Sequence, residues 1–161
     1  MEIKKSIDLR KLTIALYSLF FVVYVILGLT PAEATQYSVD ATLAIPAIDL
    51  KSDVTNLKLE NYKLETPDTI VGSFTSSENN TLLIGHVTTV FSGLDSVEIG
   101  DVIFYNDKSY TVREVEVLTK QEVNMAEILE PREVDTLTIM TCAGEIYEDG
   151  DASHRLIIIA N

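Results

Sequence analysis

The first pattern along the chain is an uncharged, apolar stretch of 18 residues at positions 12–29. As a helix it would span about 27 Å, close to the roughly 30 Å hydrocarbon core of a bilayer. Basic residues dominate the flank at 1–11, and acidic residues dominate the chain beyond 30. The positive-inside rule then places the N-terminus in the cytoplasm. We predict a cytoplasmic flank at 1–11, a transmembrane signal anchor at 12–29 and a linker at 30–38.

A cleaved signal peptide is the alternative for this segment. Residues 32–34 read Ala-Glu-Ala, which resembles a small-x-small cleavage site. Signal peptides usually carry an apolar region of about 7 to 15 residues, and this stretch is longer. The length therefore favours an uncleaved, single-pass anchor in the cell membrane, with the rest of the chain extracellular.

From residue 39 onward the pattern is mostly that of short strands. An apolar strand at 41–50 is interrupted by Pro46, which suits a sheet edge or a bulge. The other predicted strands are 81–85, the hairpin arms 102–105 and 109–118 around 106–108, 136–141 and 156–160. Residues 56–66 contain short strand or turn structure, and a helix is predicted at 121–130, where Pro131 stops it. Seven or eight strands with one or two short helices indicate a mainly β domain, a closed barrel or a sandwich, over 39–161.

Charge and cysteine content exclude several functions. The net charge is −13, from 12 basic and 25 acidic residues, which opposes nonspecific binding to nucleic acid. A single cysteine excludes a disulfide framework or a cysteine-built zinc site within one chain. None of the glycine-rich nucleotide-binding fingerprints occurs.

Three residues that could perform chemistry follow or begin predicted strands. Cys142 is expected at a strand exit and is an inert buried thiol, an intermolecular link or a nucleophile. His86 also follows a strand and could serve as its base. Arg155 stands at the mouth of the last strand, where its guanidinium could stabilise an oxyanion. His154 is the competing imidazole, but neighbouring strand residues face opposite sides, so only one of His154 and Arg155 can point into a shared site.

These residues and their surroundings resemble the sortase family of membrane-anchored cysteine transpeptidases. The matching segments are Gly85-His86 within GHVTTVFSGLDSVEIGDVIFY, TLTIMTC ending at Cys142, HRLIIIA containing Arg155, and ATLAIPAIDL with its Ile-Pro. The resemblance extends over about residues 39–161. It implies the closed eight-stranded β-barrel of sortases.

The resemblance also implies a role for each residue. Cys142 would be the nucleophile, His86 the general acid and base, and Arg155 the group that positions the substrate and stabilises the oxyanion. The backbone following Thr141 would add an oxyanion donor. The substrates would be exported proteins bearing a Leu-Pro-x-Thr-Gly-like sorting signal, cut between Thr and Gly. The acyl group would pass to an amine on a cell wall precursor or a pilin.

The loop between the predicted strands ending at 118 and beginning at 136 is short, which argues against the pilin-building and haem-protein-anchoring classes. It favours a compact housekeeping type, similar to classes D, E or F. No cofactor is expected. Some sortases bind calcium through acidic loop residues, so calcium activation is an open alternative. We assign no calcium site, because acidic residues on predicted strands and turns are typical of a solvated face; they include Glu98, Asp101, Glu114, Glu116 and Glu148.

Three rival functions remain. A papain-type peptidase would place its cysteine before its histidine and on a helix, and this chain has the reverse order. Hydrolysis by the same site is a second alternative. A membrane-anchored β-barrel that only binds partners, with Cys142 inert, is the third. We expect specificity to come from loops around residues 70–77 and 119–131, the second of which contains the predicted helix.

Overall fold

Eight strands form a closed barrel in the part of the chain that the computed structural model describes, residues 37–61, 63–77, 79–148 and 151–161. The predicted eight-stranded barrel is therefore confirmed. In chain order the strands are β1 (Ala41–Ile45), β2 (Leu50–Asn56), β3 (Val71–Ser77), β4 (Asn80–Ile84), β5 (Val102–Tyr105), β6 (Lys108–Thr119), β7 (Thr136–Ile146) and β8 (Ala152–Ala160). One α-helix, α1 (Met125–Ile128), and two 3₁₀ turns, Pro46–Ile48 and Leu94–Ser96, complete the described elements.

The predicted membrane anchor at 12–29 and its cytoplasmic flank at 1–11 lie outside the described residues, as does most of the linker at 30–38. In the stretches that the structure describes, no helix combines the length and the apolar character needed to cross a bilayer.

Around the barrel the strands follow the order β1-β2-β3-β4-β7-β8-β6-β5, and β5 pairs with β1 to close it. The β2/β3 and β4/β7 pairs are parallel, and all other neighbours are antiparallel. The predicted hairpin between β5 and β6 is confirmed. Asn106 takes the left-handed conformation in its turn, with φ of 53°, which asparagine tolerates better than most residues.

The segment predicted as one strand at 41–50 is two strands. Pro46 opens a 3₁₀ turn instead of sitting at a sheet edge or bulge, because its fixed φ suits the first position of a helical turn. The chain then reverses at Asp49, whose φ is 51°, and β2 pairs antiparallel with β1.

Two other predictions for local structure need correction. The segment 70–77 was expected to be a loop, but residues 71–77 are β3, which pairs with both β2 and β4. The helix predicted at 121–130 is limited to α1. The side chain of Asn124 accepts hydrogen bonds from the backbone N–H groups of Ala126 and Glu127, so the helix begins after this cap.

The last two strands are longer than predicted. β7 continues past residue 141 to Ile146, and β8 begins at Ala152. Cys142 and Arg155 therefore lie inside paired strands and not at strand ends. The ladder between the two strands shifts register between Ala143 and Ile146, where Gly144 has a φ of 73°.

Two apolar clusters occupy opposite faces of the barrel wall. The larger cluster includes Leu83 and Ile158 and is the barrel interior. The smaller one includes their neighbours Leu82 and Ile157, together with Ile128 of α1. Because successive strand residues point to opposite faces, the smaller cluster lies on the outer face, beneath α1. That outer face carries the site described next.

Candidate active site

The pairing of adjacent strands places Cys142 beside Arg155, and His86 lies just beyond the end of the neighbouring strand β4. Cys142 on β7 pairs directly with Arg155 on β8, and such antiparallel neighbours have Cβ atoms about 4.5–5.5 Å apart. On the other side, Ile84 of β4 is level with Met140 of β7. His86 lies two residues beyond Ile84, as Cys142 lies two residues beyond Met140.

These three side chains line the same cavity, whose volume is about 460 Å³. Most of its remaining lining is apolar and comes from the smaller cluster, from α1 and from the segment between β2 and β3. The residues that form these walls are Leu59, Leu64, Leu82, Ile84, Met125, Leu129 and Met140. The cavity is thus an apolar groove with a thiol, an imidazole and a guanidinium among its lining groups.

Cys142 is partly buried and is the free thiol of the chain. It shares a strand face with Met140, because the two are separated by one residue, and both line the groove. Its backbone is held on β8 by the strand ladder, so the thiol sits on a rigid element.

His86 lies on a tight turn that follows β4. Its carbonyl accepts hydrogen bonds from the backbone N–H groups of Thr89 (3.2 Å) and Phe91 (3.1 Å). Its Nε2 is 3.9 Å from Oδ1 of Asp68, and its side chain is 41% exposed. The hydroxyl of Thr89 donates to the Asp68 carbonyl at 2.8 Å and so connects the two loops.

Gly85 permits this turn to fold back on the barrel. A Cβ at this position would lie 2.7 Å from a methyl group of Val90 and 2.8 Å from the ring of Phe91. Thr141, which is 3% exposed, donates its hydroxyl to the Gly85 carbonyl at 2.8 Å. The Thr141 side chain therefore ties the end of β4 to β7, next to Cys142. The oxyanion donor expected from the backbone after Thr141 stays a prediction.

Arg155 is held by three hydrogen bonds and is 18% exposed. Nη1 donates to the carbonyls of Ala152 (3.1 Å) and His154 (2.9 Å), and Nη2 donates to Oδ1 of Asp151 at 2.7 Å. Lys120 pairs with the other carboxylate oxygen of Asp151. The pKa of Asp151 is held well below its usual range, mainly by the hydrogen bond from Lys120 and next by the one from Arg155.

His154 faces away from this groove. Its Nδ1 is 2.7 Å from the hydroxyl of Ser153, and it lines a separate depression that also includes Tyr147. The prediction that His154 and Arg155 point to opposite sides is confirmed. Of the two histidines, His86 is the one that shares a cavity with Cys142.

Sequence reasoning did not identify Asp68 and Asp151, which contact His86 and Arg155, or Leu59 and Leu64, which form a groove wall. The four-residue spacing between Asp151 and Arg155 gives no signal, because such a spacing brings side chains together on a helix and Arg155 lies in a strand. The described ranges contain no group of three or more His, Cys, Asp or Glu side chains placed to hold a metal ion.

Several solved structures with a similar fold are sortases. Sortase A of Corynebacterium diphtheriae, a lid mutant, has a TM-score of 0.56 and 24% identity, over 81% of this chain and 72% of that one. Sortase A of Listeria monocytogenes has a TM-score of 0.58 and 19% identity, over 76% and 86%. Sortase C of Clostridium perfringens has a TM-score of 0.54 and 22% identity, over 74% and 66%. At these identities the likeness establishes the fold.

The family itself is established by the sequence. The profile of the Sortase domain matches residues 43–161, which is most of the chain. No curated protein matches it. The chain belongs to the sortase family and is a cysteine transpeptidase.

Proposed function

We propose that this enzyme cleaves a Leu-Pro-x-Thr-Gly-like sorting signal between Thr and Gly through a thioester on Cys142, and then transfers the acyl group to an amine. The observation that carries the proposal is that His86, Cys142 and Arg155 line one cavity. Cys142 and Arg155 are paired across β7 and β8, and His86 lies two residues beyond the end of β4. All three side chains open into one apolar groove.

In the first half of the reaction the Sγ of Cys142 attacks the threonine carbonyl carbon. The carbonyl π pair moves onto oxygen, and the Arg155 guanidinium stabilises the resulting oxyanion. Before attack, the pair formed by the Cys142 sulfur and the His86 imidazole carries one proton that can be transferred. His86 delivers that proton to the leaving nitrogen of glycine as the C–N bond breaks, and a thioester remains.

The second half reverses these roles. An incoming amine attacks the thioester carbonyl, and His86 removes its proton. The C–S bond breaks, the Cys142 sulfur leaves with its electron pair, and a new amide forms. Splitting one amide exchange into two acyl transfers lowers the barrier for each, and an apolar groove favours the amine by excluding water. Every group that the reaction needs is a side chain or the backbone, so we propose that it requires no cofactor.

The walls of the groove suit the apolar part of such a signal. Leu64, Met125 and Leu129 offer aliphatic surface in the cavity that Cys142 also lines. Burying a leucine-sized side chain there contributes about 1.5–3 kcal/mol to binding before the entropic cost of association. Methionine adapts its shape to a ligand more readily than branched residues do.

We further propose that residues 12–29 anchor the enzyme in the cell membrane, with residues 39–161 on the extracellular side. The length of the uncharged stretch and the basic flank at 1–11 support this orientation. Substrates and amine acceptors that are themselves attached to the envelope would then be at a raised effective concentration. The short segment between β6 and β7 supports a compact, general-purpose type of sortase.

Intact-mass spectrometry of the full-length protein in detergent tests the proposal. The protein is mixed with a pool of Leu-Pro-x-Thr-Gly-like peptides, with and without an added amine. We expect a mass gain equal to the acyl part of one peptide, and its loss into a ligated product when the amine is present. Cys142→Ala should give no adduct, and a chelator should leave the adduct unchanged.

The remaining functions give other results. Release of the adduct to water alone, with no ligated product, would identify a hydrolase. No adduct, combined with a Cys142 that resists a small alkylating reagent in the folded protein, would favour a non-enzymatic barrel that binds partners.

A further inference from the structure

A charged trio adjoins the groove on the side of Arg155. Asp151 receives hydrogen bonds from Lys120 on one carboxylate oxygen and from Arg155 on the other. The backbone N–H of Ala152 also donates to Oδ1 of Asp151 at 2.9 Å, which fixes the carboxylate relative to β8. This trio connects the segment that follows β6 to the start of β8.

The three hydrogen bonds of Arg155 occupy three of its five N–H groups. Among the described residues, the other two have no acceptor. Their direction depends on the plane of the guanidinium, because all five N–H groups lie in that plane. The two carbonyls that Nη1 contacts, those of Ala152 and His154, belong to the first residues of β8. Asp151 supplies the bond on Nη2, so it contributes to setting the plane.

Charge balance gives Lys120 a part in the arrangement. An aspartate paired with an arginine forms a neutral pair, which would weaken the arginine's attraction for a developing oxyanion. With Lys120 on the second carboxylate oxygen, the trio carries a net charge of about +1. In a protein of net charge −13, this keeps a local positive charge beside Cys142.

We propose that Asp151 is a positioning residue for the sortase reaction, which holds the Arg155 guanidinium in the orientation that receives the acyl oxygen, with Lys120 preserving the positive charge. This inference rests on the role of Arg155 in the proposed function. It goes beyond that function by assigning a part in the reaction to two residues that do not line the groove.

The test measures the single-turnover rate of acyl-enzyme formation in full-length protein, with the peptide that gives an adduct. Asp151→Asn keeps the size of the side chain and removes its charge. We expect a rate about tenfold lower, because one charge-assisted hydrogen bond on the guanidinium is replaced by a weaker one. Lys120→Met should lower the rate about two- to threefold. Asp151→Glu should recover part of the rate that Asp151→Asn loses.

Asp135 offers a matched control. It is a half-buried aspartate that pairs with Lys108, accepts a hydrogen bond from the Tyr110 hydroxyl and takes no part in the groove. Asp135→Asn should leave the acylation rate unchanged. Thermal unfolding of both variants identifies a temperature at which each is fully folded. The acylation rates are then compared at that temperature.

A double-mutant cycle distinguishes positioning from an independent effect. If Asp151 acts through Arg155, then Asp151→Asn should cause no further loss in a protein that already carries Arg155→Ala. An equal loss in both backgrounds would overturn the inference, as would an unchanged rate for Asp151→Asn alone. An Arg155→Ala variant that reacts at the normal rate would instead overturn the proposed role of Arg155, and this inference with it.

Discussion

The two sides of the candidate site are built differently. Cys142 and Arg155 lie inside β7 and β8, where the strand ladder holds both backbones in a fixed register. His86 lies beyond the end of β4, on a turn held by a few hydrogen bonds, and its side chain is 41% exposed. The backbones of the nucleophile and of Arg155 are therefore fixed by the sheet. The position of the proposed acid and base depends on contacts outside any strand. We therefore expect substitutions near the His86 turn to displace a reacting group more easily than substitutions within β7 or β8.

The largest effect is expected from removing the imidazole on the turn. His86→Ala should lower the rate of acyl-enzyme formation by about 10²- to 10⁴-fold, because the leaving nitrogen loses its proton donor. Single-turnover intact-mass measurements on the full-length protein give this rate. His154→Ala is the matched control, since His154 faces the opposite side, and it should react normally. A greater loss for His154→Ala than for His86→Ala would show that the wrong histidine has been chosen.

The next effect concerns the side held by the sheet. Arg155→Lys keeps the positive charge but removes the planar fork that bonds two carbonyls and Asp151 at once. We expect the acylation rate to fall by at least about tenfold, up to the 10²–10³-fold that loss of an oxyanion donor can cost. The same single-turnover assay applies. Unchanged turnover would mean that charge alone is required at this position and that the geometry of the fork is not used.

A smaller effect is expected from crowding the turn without touching a reacting group. In Gly85→Ala the new methyl would approach Val90 and Phe91 to less than 3 Å, so the turn that carries His86 has to shift. Such overpacking costs about 1–3 kcal/mol of stability. We expect the acylation rate to fall in protein that is still fully folded, as judged by circular dichroism at the assay temperature. A variant that loses stability but keeps the full rate would show that the His86 turn tolerates displacement.

Sequence reasoning named three residues that the structure brings into one groove, but it did not find most of the residues around them. Alternation along β7 and β8 is a local property, so it could show that His154 and Arg155 face opposite sides. The parallel pairing of β4 with β7 joins residues more than 50 positions apart, and no local pattern reveals that Ile84 is level with Met140. The family resemblance supplied this link, by joining His86 to Cys142 before any register was known.

The surroundings were harder to predict for physical reasons. The segment 71–77 contains three serines, a threonine and a glycine, and its two neighbours in the barrel determine its strand conformation. The wall residues Leu59 and Leu64 are outside any strand, so no periodicity marks them. Asp151 was one acidic residue among 25 until the structure showed it between Lys120 and Arg155.

The smallest effect is expected from replacing Thr141, a buried threonine of β7, and Thr138 on the same strand provides the comparison. Thr141 donates its hydroxyl to the Gly85 carbonyl, whereas the hydroxyl of Thr138 has no partner in the described part of the chain. Thr141→Val should cost about 1–3 kcal/mol of unfolding free energy, because it leaves a buried carbonyl unsatisfied. Thr138→Val should be neutral or stabilising, since it removes a buried hydroxyl that makes no hydrogen bond. Urea unfolding followed by circular dichroism measures both.

The acylation rate of the same two variants then separates stability from positioning. The Thr141 hydrogen bond joins the strand that carries Cys142 to the residue that precedes His86, so it is a direct connection between the two sides of the site. We expect Thr141→Val to react about two- to tenfold more slowly at a temperature where both variants are folded, and Thr138→Val to react normally. Equal rates for the two variants would mean that the strand pairing of β4 with β7 is enough to place His86 and that the turn needs no further support.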